Sequence, residues 1–518
     1  MLMLPVRPLG GINRRQPEHV IGRKTKAGIE ECQELRNLIS LDNRIRIVPG
    51  ASRLDQTAKS GDVKWCKRIY YSIGGDFKKD QFCVILGKLY KLNESAGTLN
   101  QVPISASMDI QMDADFWPID ATIKIAEQVT TFLVDGEFFY KFNGNDSGNW
   151  DQLPIKQDVD GNDIEPIYIL EYLDRLFVLV KKKNILIFSK NINPENFSDS
   201  TDAGIIDLPP GKGGFPTGLI VENGFLHVIH EDYIAPVTGD SVATFGVRPG
   251  DITHGYGTRA PRSIVSLDGR FAFLNSKNNE IHVSDDLTKP MSYDIKLKTL
   301  INPVKSDITV CHLDTELNAI RVNYVLTGEV TLNAEEIFSL DEKKWCGQTR
   351  DRHISCYSQW NGRGDDGRLI TGRADTGLLM VQDASLGFDS SPIHYKFVSA
   401  SYIAEDDITD VEFTEFFIDA KAYGNFNIPL AYYIDTRLTT NAVEGVNMQG
   451  EIINLGLIEI SDQDVFLNRA LPFIDKRRGR MIRFQIEETA ANRVFEFYGI
   501  FANYNVQNAK MSKYILGR

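Results

Sequence analysis

The chain has 518 residues, of which 42% are apolar and 25% are charged, a composition typical of a globular protein with roughly two to four domains. Acidic residues outnumber basic ones by 70 to 57, and the net charge of −13 disfavours a protein that binds nucleic acid through its surface charge. None of the six cysteines forms a Cys-x-x-Cys pair, so we expect reduced, mostly buried thiols and no disulfide framework.

The start of the chain, MLMLPVRPLGG, lacks the apolar core of a signal peptide, and none is expected. The most apolar run, IYILEYLDRLFVLV, is interrupted by Glu171, Asp174 and Arg175. A membrane-spanning helix needs about 20 apolar residues, so this run is not expected to cross a bilayer.

Residues 1–54 are predicted to form an N-terminal arm that ends in a hairpin. The stretch GGINRRQPEHVI (10–21) holds two glycines and a proline, which exclude a helix or a central strand. In NLISLDNRIRIV (37–48) the alternation predicts a hairpin that turns at Asp42 and Asn43, with Ile45 and Ile47 on one face.

The sequence of residues 55–388 predicts a succession of short strands. Apolar or alternating runs such as FCVILGKLYKL (82–92) and TFLVDGEFFYKF (131–142) are separated by Gly, Asn, Asp and Pro. Runs of this length, with little helical periodicity between them, predict an all-β protein.

Two of these segments repeat one another. LDRLFVLVKKKNILIFSKN, from Leu173, aligns with LDGRFAFLNSKNNEIHVSDD, from Leu267, and the closing serines Ser189 and Ser284 are 95 residues apart. Together with other hairpin openings the spacing gives a period of about 45 residues, which is typical of a β-propeller. We therefore predict a propeller of six or seven blades; unrelated hairpins in β-sandwiches are the alternative.

Residues 389–506 have longer aromatic strands and are predicted to form a β-sandwich. In MIRFQIEE (481–488), Ile482, Phe484 and Ile486 alternate with polar residues, as in a strand that is buried on one face. The last residues, 507–518, form a basic C-terminal tail.

Motifs for catalysis or cofactor binding are weak. GYGTRA (255–260) is followed by Pro261 and by no predicted helix, so it cannot hold a dinucleotide, and PPGKGG (209–214) lacks the spacing of a P-loop. His227 and His230 are three apart in a predicted strand and therefore face opposite sides. We predict no enzyme activity, no cofactor and no catalytic residue.

The best metal candidate is DVDGND (158–163), in which Asp158, Asp160 and Asn162 alternate like the first ligands of a calcium loop. The glutamate expected at the twelfth position is replaced by Ile169, and an ordinary Asp-Gly hairpin tip explains the same residues. No metal site is therefore predicted.

The N-terminal block 9–54 carries a motif: a Gly-Gly-hydrophobic-Asn start, then Glu-Cys-x-x-x-x-Asn, then a hairpin and Arg-x-x-Pro-Gly. The matching residues are Gly10, Gly11, Ile12, Asn13, Glu31, Cys32, Asn37, Arg46, Pro49 and Gly50. This block resembles the opening of bacteriophage tail proteins, above all the tail hub or nozzle (packaged-DNA stabilisation) proteins of short-tailed phages. The propeller repeats and KRRGRMIRFQIEETAANRVFEFYGIFANY (476–504) resemble the same family.

The resemblance implies a virion structural protein, made in the host cytoplasm, that forms a ring below the portal and adaptor. It further implies a homohexamer that closes or extends the DNA channel, retains packaged DNA without sequence-specific binding, and docks tail fibres or spikes. It also implies a helical turn around Glu31 and Cys32. An arm that reaches a neighbouring subunit or the adaptor suits the heterologous contacts of a closed ring, and we expect residues 10–21 to become ordered only on such contact.

Candidate contact residues lie in the arm and in two long loops, FGVRPGDITHGYGTRAP (245–261) and NGRGDDGR (361–368). They are Arg14, Arg15, His19, Arg248, His254, Tyr256, Arg259, Arg363, Asp365 and Asp366. The alternative is a carbohydrate-binding or glycan-cleaving propeller of a phage tail, which predicts a cleft at the propeller axis lined by paired carboxylates and aromatics. A cellular propeller adaptor is disfavoured because the Gly-His dipeptide of that class is absent from the sequence, and Trp-Asp occurs once, at Trp150 and Asp151, where that class repeats it.

Overall fold

The computed structural model describes residues 2–6, 11–12 and 31–506, with gaps inside the last range. The gaps are 42–43, 49, 74–75, 103, 105–115, 126–127, 144–148, 212–213, 363–364, 383–386, 390, 400–401, 404–409, 424–428, 435–451, 455–464, 473–477, 480 and 489–493. The described part is nearly all β, as the sequence predicts.

The strands are numbered in chain order. The first are β1 Leu2–Val6, β2 Gly11–Ile12, β3 Glu31–Arg36, β4 Leu38–Leu41, β5 Arg44–Ile47, β6 Ala51–Arg53, β7 Val63–Ile73, β8 Asp76–Ile85, β9 Lys88–Asn93, β10 Thr98–Gln101, β11 Ile119–Ile125, β12 Gln128–Val134, β13 Phe139–Asn143 and β14 Asn149–Gln152. They are followed by β15 Pro166–Tyr172, β16 Arg175–Val180, β17 Ile185–Phe188, β18 Gly204–Asp207, β19 Pro216–Glu222, β20 Phe225–His230, β21 Tyr233–Thr238, β22 Gly246–Val247, β23 Thr253–His254, β24 Val265–Leu267, β25 Arg270–Asn275, β26 Glu280–Val283, β27 Val310–Asp314 and β28 Ala319–Tyr324. The last are β29 Ala334–Ser339, β30 Lys344–Arg350, β31 Ile354–Gln359, β32 Leu369–Arg373, β33 Leu379–Gln382, β34 Gly387–Phe388, β35 Ser391–Pro392, β36 Tyr395–Ser399, β37 Tyr402–Ile403, β38 Val411–Tyr423, β39 Pro429–Ile434, β40 Ile452–Asn454, β41 Val465–Pro472, β42 Arg478–Gly479, β43 Met481–Glu488 and β44 Val494–Val506.

Short helices occur only between strands of the described part. They are the 3-10 turns Pro249–Asp251, Pro261–Ser263, Met291–Tyr293 and Pro303–Ile308 and the α-helical turn Leu297–Leu300. Among the described residues no helix has the length and apolarity needed to cross a membrane.

The chain divides into two units. The larger unit holds residues 51–335 and 351–383, and the smaller unit holds 1–50, 336–350 and 384–518. The sequence predicts a different division of the chain, into separate regions 1–54, 55–388 and 389–506. Residues 1–50, 336–350 and 384–388 group with the C-terminal strands.

The larger unit is a series of small antiparallel sheets. Four-stranded meanders form from β7–β10, from β11–β14, from β15–β18 and from β19–β22, and β23 also pairs with β21. A three-stranded sheet, β24–β26, and the hairpin β27–β28 follow. In the last sheet of the unit, β31, β32 and β33 are joined by β6, which comes from the start of the unit and pairs through Ala51–Arg53 with β33.

Apolar side chains pack between successive sheets of the larger unit. Trp65 and Phe82 of the first sheet lie in one core with Phe142 and Trp150 of the second. Similar cores join the second sheet to the third, the third to the fourth and the fourth to the fifth. One further core joins the last sheet to the first, because Val63 and Ile85 pack with Ile370 and Leu379.

Arg262 ties together the starts of several strands in the larger unit. Its guanidinium donates to the carbonyl oxygens of Ser355 in β31 (2.8 Å) and of Ile308 just before β27 (2.9 Å). The same group lies 3.5 Å from the centre of the Trp117 ring, just before β11, and Lys64 Nζ lies 4.1 Å from that ring. One side chain therefore connects residues that are far apart in the sequence.

Most described strands of the smaller unit lie in two sheets. One has the order β4-β5-β44-β38-β41, with β1 on β44 and β42 on β38; the other contains β30-β3-β36-β43-β39-β40, with β2 on β3 and β37 on β43. The two sheets pack face to face, because Phe416 of β38 has its ring 5.9 Å from that of Phe484 in β43 and 6.3 Å from that of Tyr432 in β39.

The N-terminal segment is partly built into this unit. Leu2–Val6 pairs along Ile500–Tyr504, and Gly11 and Ile12 pair in parallel with Glu31 and Cys32. The expectation that residues 10–21 are ordered only by other chains is thus wrong for Gly11 and Ile12, while Gly10 and residues 13–21 lie outside the described residues.

The predicted helical turn at Glu31 and Cys32 is also wrong. Residues Glu31–Arg36 form a strand, because Cys32, Glu34 and Leu35 pair with β36 and bury Cys32 and Leu35 completely. The predicted hairpin is confirmed, with β4 and β5 paired antiparallel on either side of residues 42–43. None of the six cysteines, all of which are described, forms a disulfide, and all six are buried, as predicted.

Candidate functional site

Six of the ten predicted contact residues are described. Arg14, Arg15, His19 and Arg363 lie outside the described residues. The other six fall in the two predicted loops, both in the larger unit. The second loop holds a buried carboxylate, and the first borders a cleft.

In the second loop, Asp365 is a structural residue. Its side chain is only 2% exposed, and its carboxylate accepts from Tyr70 Oη (2.6 Å), from Arg68 (3.3 Å) and from Lys79. Burial alone would raise the pKa of Asp365, but these donors outweigh it and the pKa is lowered. The prediction of Asp365 as a solvent-facing contact residue is therefore corrected.

Asp366, beside it, is exposed and pairs with Arg368. Both side chains are half exposed, so the pair is a surface ion pair of small energetic weight. The two adjacent aspartates thus differ: Asp365 is buried and structural, whereas the carboxylate of Asp366 faces solvent.

The first loop borders a polar cleft, which we call the loop cleft. It has a volume of about 440 Å³, and its wall includes Glu231 and Asp232 of the β20–β21 turn, His254, Arg259, and Ser276 and Lys277 after β25. Arg259 Nε donates to Glu231 Oε2 at 2.8 Å, while 66% of the arginine side chain is exposed. The predicted residues His254 and Arg259 are thus brought to one site.

Arg248 and Tyr256, from the same loop, lie apart from the cleft wall. Arg248 is exposed just before the 3-10 turn Pro249–Asp251. Tyr256 is half-buried and packs against the core of Ile220, Ile229 and Phe271, so its ring serves the packing of the loop.

The backbone around the cleft is tightly packed. Gly255 donates its N–H to the Asp232 carbonyl (2.8 Å), Thr258 donates to the His230 carbonyl (3.0 Å), and Ser276 donates to the Gly257 carbonyl (2.9 Å). A Cβ on Gly257 would lie 2.1 Å from the His230 oxygen, so only glycine allows this approach. Gly211 is likewise required, because a Cβ there would meet the His230 ring at 2.2 Å.

A buried histidine supports the floor of the turn. His230 is fully buried, its ring stacks on Tyr233 with 4.4 Å between centroids, and its Nδ1 lies 2.8 Å from Asp232 Oδ1. Burial lowers the pKa of His230, and the nearby Asp232 and Glu231 only partly oppose this effect. The imidazole is therefore neutral at physiological pH.

The side chain of Asp158 closes the loop 158–163, whose sequence resembles the start of a calcium-binding loop. Asp158 is buried, and its Oδ1 accepts from the backbone N–H of Asp160 (2.9 Å) and of Asn162 (2.8 Å). The carboxylate that would lead a cation site thus caps a turn. In the part of the chain that the structure describes, no group of three or more His, Cys, Asp or Glu side chains could hold a metal ion.

Sequence reasoning missed a buried ionic cluster. Arg321 is 1% exposed and donates to Asp314 (2.8 Å), Glu335 (3.1 Å) and Gln382 (3.0 Å), while Tyr357 donates to Glu335 (2.7 Å). Every charge in it has a partner, which makes the cluster structural. The signal was present: His312 and Asp314, then Arg321 and Asn323, place polar residues on one face of two otherwise apolar strands.

Comparisons with known proteins do not identify a family for this chain. No family model matches the chain, and no curated protein matches it. Among solved structures, the extracellular domain of the hybrid two-component system BT4673 from B. thetaiotaomicron is 10% identical with a TM-score of 0.29; the match covers 73% of this chain and 43% of that one. BBS1N in complex with ARL6DN is 10% identical with a TM-score of 0.35, over 66% of this chain and 99% of that one. The chain thus spans less than half of the first structure, and scores this low carry no information on fold or function.

Proposed function

We propose that this chain is a virion structural protein of a short-tailed bacteriophage, the tail hub or nozzle. In this role six copies form a ring below the portal and adaptor, extend the DNA channel, retain packaged DNA and dock fibres or spikes. The protein acts as a scaffold and not as an enzyme, and DNA passes it without sequence-specific binding.

The observation that carries this proposal is the joint burial of the residues that resemble the family. Ile12 and Cys32 face each other across paired strands and are 3% and 0% exposed. Asn37 has a positive φ of 53° and is 5% exposed; its side chain accepts from Arg350 N (3.0 Å) and donates to His394 O (2.6 Å). These spaced residues thus serve a common structural purpose, as a family signature would.

We further propose that the larger unit is a seven-bladed β-propeller and the smaller unit a β-sandwich. Five sheets, the hairpin β27–β28 and the last sheet give seven successive elements, and β6 completes the last one beside the first. The apolar core between the last and first sheets supports ring closure, which removes the exposed sheet edges.

In such a propeller the innermost strands would include β7, β11, β24, β27 and β31. The contacts of Arg262 with Trp117, Ser355 and Ile308 then lie near the axis and occupy it. The DNA channel of the proposed hub would therefore run between copies of the chain and not through a single propeller. The net charge of −13 per copy suits a wall that does not retain DNA.

The test is a deletion of the gene from the phage or prophage genome that encodes it, followed by complementation. Wild-type particles should contain about six copies by quantitative mass spectrometry, and the deletion should yield particles that lose DNA and infectivity. Asn37→Ala should fail to complement, because the buried bonds of Asn37 are lost, whereas Asn100→Ala, at an exposed position, should restore infectivity. Infectious, DNA-filled particles without the chain would overturn the proposal.

A further inference from the structure

We propose that the loop cleft binds a neutral carbohydrate, with Glu231, Arg259 and Ser276 as the groups that hold the sugar hydroxyls. This site lies within the larger unit and does not depend on the tail role or on ring formation. It also differs from the cleft at a propeller axis that the sequence led us to expect.

The cleft is held in a fixed shape before any ligand arrives. Three backbone hydrogen bonds fasten its loops to one another, and the required glycines Gly211 and Gly257 bring the backbone against the 230–232 turn. The buried stack of His230 on Tyr233 supports the turn from below. A preorganised site loses less conformational entropy on binding, which favours a specific ligand.

The charges of the wall favour a neutral ligand. Glu231 and Asp232 balance Arg259 and Lys277, so a free anion would meet two carboxylates and a free cation two basic side chains. Sugar hydroxyls both donate and accept hydrogen bonds and can use carboxylate, guanidinium and hydroxyl groups together. This mixed set of donors and acceptors is the pattern that a hydroxyl-rich ligand requires.

One polar atom in the wall, the buried Oγ of Ser276, lacks a hydrogen-bond partner among the described residues. A buried hydroxyl without a partner is costly, and a ligand hydroxyl would satisfy it once the Ser276 side chain turns about χ1 and brings its Oγ to the cleft. The exposed imidazole of His254 adds a flat face beside it.

The volume of about 440 Å³ falls in the range of small-ligand sites, which is roughly 300–1,000 Å³. Most such sites are lined by apolar side chains, whereas the side chains that line this cleft are all of charged or polar types. The size and polarity together fit a short stretch of a glycan and not an apolar cofactor.

The experiment is a binding assay with the full chain on an array of purified bacterial surface polysaccharides, to which the trisaccharides maltotriose and chitotriose are added as short neutral probes. Titration calorimetry then follows with the best-bound neutral glycan, and inorganic phosphate and acetate are tested in parallel. Glu231→Gln and Ser276→Ala should each weaken binding about tenfold, since each removes one polar partner of the sugar. Asp285→Asn breaks a comparable exposed ion pair, with Arg270, outside the cleft and should leave binding unchanged.

Binding of a neutral glycan that falls in both cleft variants and persists in Asp285→Asn supports the inference. It is overturned if the wild-type chain binds no glycan on the array, if it binds only phosphate or acetate, or if the cleft variants bind as tightly as wild type. A circular dichroism spectrum and an unfolding midpoint for each variant separate lost binding from lost folding. A loss of ring assembly would leave these outcomes unchanged.

Discussion

His230 shows how one side chain links the stability of the larger unit to pH. Its ring is fully buried, stacked on Tyr233 and close to Asp232, yet burial dominates and lowers its pKa. In an unfolded chain a histidine titrates near pH 6.5, so on acidification the unfolded state takes up a proton that folded His230 does not. The free energy of unfolding therefore falls as the pH falls below about 7.

We expect this effect to disappear in His230→Asn. Between about pH 7.5 and 5.5, the free energy of unfolding of the wild-type protein should drop further than that of the variant, by at most about 1 kcal/mol, because only the wild type has this titrating group. Urea unfolding at the two pH values measures the difference, and every other titrating residue is common to both proteins. Equal pH dependence in both would show that His230 titrates alike in the folded and unfolded states.

At the scale of elements, Arg262 acts as a tie between strands. Its guanidinium satisfies the carbonyls of Ser355 and Ile308 and covers the ring of Trp117. These partners precede or begin β31, β27 and β11, so the side chain links elements that no sheet joins directly.

Arg262→Ala should lower the free energy of unfolding by about 2–4 kcal/mol, because it removes the donor from two partly buried carbonyls and opens a cavity beside Trp117. Arg270→Ala is the control, since Arg270 forms an exposed pair with Asp285 and should cost under about 1 kcal/mol. Urea unfolding of both variants gives the comparison. A similar, small loss in both would contradict the role of Arg262 as a tie.

The strand repeat could be predicted because it rests on local pattern. Ser189 accepts from Leu176 N (2.9 Å), and Ser284 accepts from Phe271 N (3.0 Å), so the two aligned serines make the same bond in the third and fifth sheets. The separation of 95 residues therefore corresponds to two sheets, as the spacing indicated.

The role of Asp365 could not be predicted, because its partners are remote in the sequence. Lys79 and Tyr70 lie 286 and 295 residues away from it. Alternation along a strand shows which face a residue takes but not which distant strand it meets. The strand at Glu31 was missed for a related reason, since its partner β36 begins more than 350 residues later.

At the scale of the whole molecule, the N-terminal and C-terminal segments belong together. Leu2–Val6 pairs with β44 and Glu31–Arg36 with β36, so strands from both ends form the smaller unit. The described residues of the N-terminal motif, among them Ile12, Cys32 and Asn37, are therefore part of a folded body. Contacts of the proposed hub with neighbouring tail components would then be made from that body.

Electron microscopy of the tail is the most direct test of the proposed tail-hub role. Particles from the encoding phage or prophage should be averaged with and without an antibody against the chain. We expect a ring of six copies directly below the portal and adaptor, labelled by the antibody and lost on deletion of the gene. A complete tail that carries no label, and that is unchanged by the deletion, would contradict it.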